Sequence, residues 1–252
     1  MLVRNDEPDL WKGRMTPFEI VKGVYFAGCE KASSHIFDTG DGLIMLDTGY
    51  YSTAHLLVNS IYELGFKPSD VKYIINSHWH WDHTEATAAI ANLCGAKTLI
   101  SEYDYENAKQ YFDADILIKD GDRLKLGNID IEFMHTPGHT HGTISLFFNV
   151  KDGDKVYRVG NLGGSGVNTM ALGCFDFPNA REAFRNSLHK LAKEEVDVFI
   201  GNHTWNNKTK EKYEILVKTG ENKFVDKNAW KEYIDFCERC LDNVIKDDNK
   251  EK

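Results

Sequence analysis

His78-Trp79-His80-Trp81-Asp82-His83 decides how this chain is read. Six residues carry three imidazoles and a carboxylate, directly after the apolar run Val71-Lys72-Tyr73-Ile74-Ile75. Neutral imidazole and carboxylate are the donors that Zn²⁺ and similar divalent cations take. His78 and His80 stand two apart where a strand would end, so both side chains can turn into one cleft. Asp82 and His83 follow where the chain turns into a helix and can face a second position close by.

Further candidate ligands recur downstream. His139 lies in His135-Thr136-Pro137-Gly138-His139-Thr140-His141-Gly142, where Pro137-Gly138 makes a tight turn that lets an imidazole leave a strand abruptly. His203 lies in Ile200-Gly201-Asn202-His203-Thr204-Trp205, again just past an apolar run. His78, His80 and His139 make one open three-ligand site, and Asp82, His83 and His203 make another. A catalytic zinc keeps its fourth position for water. Two such ions roughly 3.5–4 Å apart can share a hydroxide and clamp a developing oxyanion. Asp82 can both ligate and orient that hydroxide, which makes it the candidate catalytic residue.

The rest of the chain bounds this reading. Of its 252 residues 42% are hydrophobic and 12% aromatic, as in a globular protein with a substantial core. The net charge is −9 and no dense Lys/Arg cluster stands out, which argues against nucleic acid as a partner. No run approaches the ~18 apolar residues of a membrane span. The first residues lack a basic stretch followed by an apolar one, so no signal peptide is read and a cytoplasmic location is expected. The five cysteines are odd in number and scattered, so no disulfide framework is expected. Cys237 and Cys240 fall three apart within a helical pattern; packing is the first reading, with redox or metal use as the alternative.

Strands are expected at 23–27, 35–39 and 43–47, with Asp38-Thr39-Gly40-Asp41-Gly42 turning between the last two. A helix from Ser52 or Thr53 to about Leu64 is closed by Gly65. A strand at 71–76, a helix at 84–93 and a strand at 98–101 follow. Residues 123–126, 129–135, 144–150 and 155–159 read as antiparallel strands, and 160–166 as a flexible loop beside the site. A helix over 179–194, a strand over 196–200 and helices over 208–218 and 226–246 complete the chain. This order predicts two similar α/β halves packed sheet against sheet with helices outside, in a single domain over 1–252. Its core spans about 20–205, and C-terminal helices occupy 208–246.

With these residues in view, the chain resembles the metallo-β-lactamase superfamily over most of 20–205. The resemblance rests on Leu46-Asp47-Thr48-Gly49, on His78–His83, on Thr136–Gly142 and on His203. It implies a four-layer αβ/βα sandwich with a dinuclear site at one edge. It also implies that Asp47 orders the metal loop from behind through hydrogen bonds. The three-His plus Asp-His-His set is most like the third subclass of metallo-β-lactamases. Many hydrolases of the superfamily carry a bridging Asp after the strand at 155–159, and this chain has Asn161 instead. That disfavours glyoxalase-, phosphodiesterase- and bridging-Asp lactonase-like readings, and predicts that Asn161→Asp would tighten the second metal. A Glu stands in place of His80 in diiron flavoprotein relatives, which disfavours that class.

The resulting expectation is a hydrolase with two Zn²⁺ per chain, opening an amide or ester of a small molecule with a metal-bound hydroxide. A β-lactam is the first substrate expected, and a cytoplasmic lactonase or acyl-amide hydrolase is the alternative. A mononuclear-iron oxidoreductase like the superfamily's sulfur dioxygenases is the rival from another class, and a non-catalytic binding protein is the third. His141, Trp205 and Ser34 are the candidate substrate contacts.

Overall fold

The computed structural model describes residues 10–250. Seven strands form a first sheet in spatial order β1 (Phe18–Val21), β2 (Val24–Phe26), β3 (His35–Asp38), β4 (Leu43–Leu46), β5 (Val71–Ile75), β6 (Lys97–Ser101) and β7 (Ile116–Ile118). β1 to β4 run antiparallel and β4 to β7 parallel. The second sheet contains β8 (Arg123–Leu126), β9 (Ile129–His135), β10 (Ile144–Asp152), β11 (Lys155–Leu162) and β12 (Val198–Gly201), in order β12-β11-β10-β9-β8. Its strands are antiparallel except for the parallel pair β11 and β12.

The two sheets meet face to face. Phe26, Phe37, Ile44, Leu46 and Ile75 of the first share one core with Ile131, Phe133, Leu146, Phe148, Val159 and Ile200 of the second. The Phe37 and Phe148 rings lie 4.6 Å apart across that layer. Alternate residues point the other way, as strand geometry dictates. Ile36, Met45 and Ile74 cover the outer face under α1 (Ala54–Glu63) and α3 (Thr87–Cys94), the latter preceded by the short α2 (Trp81–Thr84). The segment expected as one helix over 84–93 is thus two, because Ala86 N–H leaves the ladder for Gly49 O and the Thr84 hydroxyl bonds back to Trp79 O and His80 O.

A short α4 (Tyr105–Ala108) follows β6. On the other side, α5 (Ala180–Leu191) and, beyond α6 (Thr209–Thr219), α7 (Ala229–Lys250) bring Phe184, Leu188, Trp230, Ile234 and Leu241 onto Phe147, Leu162 and Phe199. The order helix, sheet, sheet, helix is the four-layer αβ/βα sandwich expected from the sequence. No described helix is long and apolar enough to cross a membrane.

Sequence reading missed β1, β7 and α4, all of four residues or fewer. It also ended β11 too early. Gly160, Asn161 and Leu162 continue the ladder beside Phe199, Ile200 and Gly201, and only the segment after Leu162 is loop. A β-carbon at Gly160 would meet the Val196 side chain at 2.7 Å, so this glycine serves close packing rather than loop freedom.

Four strand ends, those of β4, β5, β11 and β12, open at one edge of the sandwich. Asp47, Asn76–His83, the segment after Leu162 and Asn202–His203 leave the sheets there, which is where α/β architectures hold ligands.

Candidate metal centre

Two groups of ligating side chains gather at this edge. His78, His80 and His139 bring one donor atom each to within 4.8 Å of one another, and so do Asp82, His83 and His203. His78, His83 and His139 are buried, while Asp82, His80 and His203 are partly open to a cleft of about 530 Å³.

The hydrogen bonds behind these rings decide which nitrogen faces forward. The Ser77 hydroxyl spends its one proton on Asp47 Oδ2 at 2.8 Å and receives Asn202 Nδ2 at 2.9 Å. It therefore accepts from His78 Nδ1–H at 3.0 Å. His83 Nδ1–H donates to Asp47 Oδ2 at 2.9 Å, and His139 Nδ1–H to Gly166 O at 2.7 Å. His203 Nδ1–H donates to the Lys31 carbonyl. Each of these four rings is left with Nε2 directed away from its anchor, the arrangement that raises ligand basicity and fixes ring orientation. Among them His78 Nε2 and His83 Nε2 are buried with no hydrogen-bond partner. His80 presents Nδ1 instead, 2.9 Å from His139 Nε2. Orphaned nitrogens and two facing imidazole nitrogens are what a shared cation would satisfy, so the donor set fits a divalent metal.

Asp47 unites the two groups. Its carboxylate takes Ser77 N–H at 2.7 Å, the Ser77 hydroxyl, His83 and Asn202 Nδ2. Its backbone lies at φ 57°, in the left-handed region that non-glycine residues seldom adopt. A second acid, Asp104, pins the loops from below by accepting from Trp79 N, Gly142 N and the Thr140 hydroxyl. Burial pushes the Asp104 carboxyl up to about 7 against those three donors.

The charges divide between the groups. Burial drives His80 down to about 4, His139 to about 3 and His203 to about 4, and takes His78 well below the usual imidazole range. These rings are neutral, as ligation requires. Burial opposes charge on His83 too, but the Asp82 and Asp47 carboxylates outweigh it and push that ring up to about 10, so a cation bound there takes the place of its Nε2 proton. Burial would raise the Asp82 carboxyl, yet the His83, His203 and His80 rings around it hold it well below the usual carboxylate range.

Of the expected substrate contacts, Trp205 lines the cleft, its ring stacked on His203 at 4.3 Å and 5°. Ser34 does not reach it. The Gly28–Ser34 turn closes so tightly that Ser34 N lies 2.3 Å from where a β-carbon on Gly28 would sit, and Ser34 is buried against a separate small void. His141 is also absent from the lining. It lies outside the turn that Asp104 ties down at Thr140 and Gly142, exposed and stacked on Phe177 at 4.7 Å. Asn161 is buried within β11, its Nδ2 donating to Ile200 O at 2.8 Å, and is not part of the cleft wall. Cys237 and Cys240 are free thiols at the far wall. Burial pushes Cys237 up to about 12 and raises Cys240; Cys237 packs in the core under α7, while Cys240 is half-buried.

Ser77, Asp104, Asn202 and Tyr233 escaped the sequence reading. Ser77 and Asn202 each precede a ligand by one residue, a signal that was present; Asp104 and Tyr233 are far from any ligand in sequence.

A sandwich with paired, back-anchored metal triads at the strand ends is the framework of a metal-dependent hydrolase. The comparisons say which kind: the chain belongs to the metallo-beta-lactamase superfamily, whose profile matches residues 27–203. It is 27% identical over 165 residues to a probable metallo-hydrolase of Methanocaldococcus jannaschii, covering 60% of this chain and 75% of that one. It is 26% identical over 204 residues to an N-acyl homoserine lactonase of a Bacillus species, covering 66% of this chain and 79% of the relative. Among solved structures, the native FEZ-1 metallo-beta-lactamase of Legionella gormanii superposes with a TM-score of 0.88 at 28% identity, covering 94% of this chain and 98% of that one. BJP-1, a subclass B3 metallo-beta-lactamase of Bradyrhizobium japonicum, superposes equally well at 25% identity, covering 96% and 98%.

Proposed function

We propose that this protein is a two-zinc hydrolase that opens a cyclic amide or ester of a small molecule, with a β-lactam as the first substrate class. One observation carries it: two ligand triads, five of whose six members line the same cleft, share a single buried organiser, Asp47. His78, His80 and His139 would hold one ion, and Asp82, His83 and His203 the other. When bound, such ions supply a water acidic enough to be deprotonated near neutral pH and a Lewis acid for the carbonyl oxygen.

The chain's own residues do the rest. Asp82 stays ionised and opens to the cleft, 3.4 Å from His83 Nε2 and 3.8 Å from His203 Nε2, placed to take a proton from an attacking water. Tyr50, Trp81, Val167, Trp205 and Phe236 line the cleft and give the substrate an apolar bed that sheds water from the reacting carbonyl. Ser165 and Asn168 offer neutral polar groups beside it. No described lining residue is Lys or Arg. That observation favours the second reading, a lactone or acyl amide without a carboxylate, because a β-lactam's carboxylate would find no Lys or Arg partner in the described lining.

Metal quantification with a parallel hydrolysis screen tests both. Between one and two zinc per chain, with turnover of a chromogenic β-lactam or of an uncharged lactone, is expected. Full activity in metal-free protein, or a single iron with oxygen uptake, would overturn the hydrolase reading.

A further inference from the structure

Residues beyond His203 fall outside the stretch matched to the family, and several of them line the cleft, Tyr233 among them. Tyr233, on α7, lines the cleft between the loop after β11, which braces His139, and the loop that carries His203. Its hydroxyl lies 2.7 Å from Ser165 Oγ and receives a hydrogen bond from Asn206 Nδ2.

Both partners lead directly to a ligand. Ser165 sits in the loop that embraces His139. A β-carbon on Gly164 would come within 2.7 Å of the His139 ring, and the carbonyl of Gly166 accepts His139 Nδ1–H. Asn206 uses its other amide atom on the second loop: Oδ1 accepts the backbone N–H of His203 at 2.9 Å. Asn202 already joins the same two loops from the sheet side, donating to Gly163 O and to Asp47. Tyr233 closes the bracket from the helix side. Burial raises the phenol, so it remains a hydroxyl able to donate and accept at once.

We propose that Tyr233 is a positioning residue that sets the two metal half-sites in register, holding the His139 side through Ser165 and the His203 side through Asn206. This rests on the two-metal reading above. Loss of a bond made directly to a ligand typically costs metal sites roughly 10–100-fold in affinity, and Tyr233 acts one bond further out.

The test is cobalt titration of metal-free protein, read from the d–d absorption of the bound ion. His203→Ala isolates the three-histidine site and His139→Ala isolates the other. Tyr233→Phe, which keeps the ring, is expected to weaken cobalt at both sites by about tenfold and to shift both spectra. Ser165→Ala should weaken the three-histidine site alone, and Asn206→Ala the other alone. Cobalt affinities within twofold of wild type in Tyr233→Phe, or a loss at one site only, overturn the proposal. If Tyr233→Phe does not fold, the two single-arm variants decide, and equal losses at both sites in each overturn it. Wild-type protein that takes up fewer than two cobalt ions would sink the two-metal reading together with the proposal. Two ions with unchanged variants would sink the proposal alone.

Discussion

Asn161 shows how a single side chain is misjudged from sequence alone. The strand that ends near Val159 by pattern continues through Leu162, and there the amide's Nδ2 donates to Ile200 O while its Oδ1 is buried without a hydrogen-bond partner. Asn161→Asp therefore places a carboxylate against a buried carbonyl. A destabilisation on the order of 3 kcal/mol is expected in chemical denaturation, with no gain in metal affinity. A tighter second metal would show that the residue does face the site. The placement of the six candidate ligands was legible because ligands of one kind at strand ends leave few ways to be arranged. Ser34 and His141 were not, because whether a loop residue faces in or out depends on the tight turns at Gly28 and Gly142.

At the scale of elements, long buried strands were legible and short edge ones were not. β4 reads Leu43-Ile44-Met45-Leu46, buried throughout between helix and sheet layers, as parallel strands are. β7 has only three residues and an exposed Leu117 in the middle, too little for a period to register. The loop after β11 is the element on which the site depends most. A methyl group on Gly164 would meet the His139 ring at 2.7 Å and its β-carbon at 3.1 Å, so loop or ligand must move. Gly164→Ala is expected to lower metal content toward one ion per chain while far-UV circular dichroism stays native. Two tightly held ions in that variant would show that the loop yields without cost to His139.

For the molecule as a whole, the same histidines set how metal-free protein responds to pH. His80, His139 and His203 have folded values of about 3 to 4, below the unfolded 6.5, so they bind protons on unfolding. Stability is lost as pH falls from about 6.5 toward 4. His83 has the opposite sign. Its folded value of about 10 lies above the unfolded one, so its contribution is complete below 6.5 and fades as pH rises through 10. Metal-free protein should melt highest near pH 6.5, with a steeper fall on the acid side, where several rings act together. Melting temperatures in EDTA at pH 5, 6.5 and 9.5 check this. A melting temperature that still climbs between pH 6.5 and 9.5 would mean that His83 is neutral in the folded protein.

The stacked pair at the cleft mouth has an optical consequence. Trp205 is 61% exposed and lies flat on His203 at 4.3 Å, so an indole fluorophore touches a ligand of the second triad. Its excited state is within electron-transfer range of any open-shell cation that His203 holds. Arrival of such an ion at that half of the centre is therefore written into the protein's own ultraviolet emission, with no label attached.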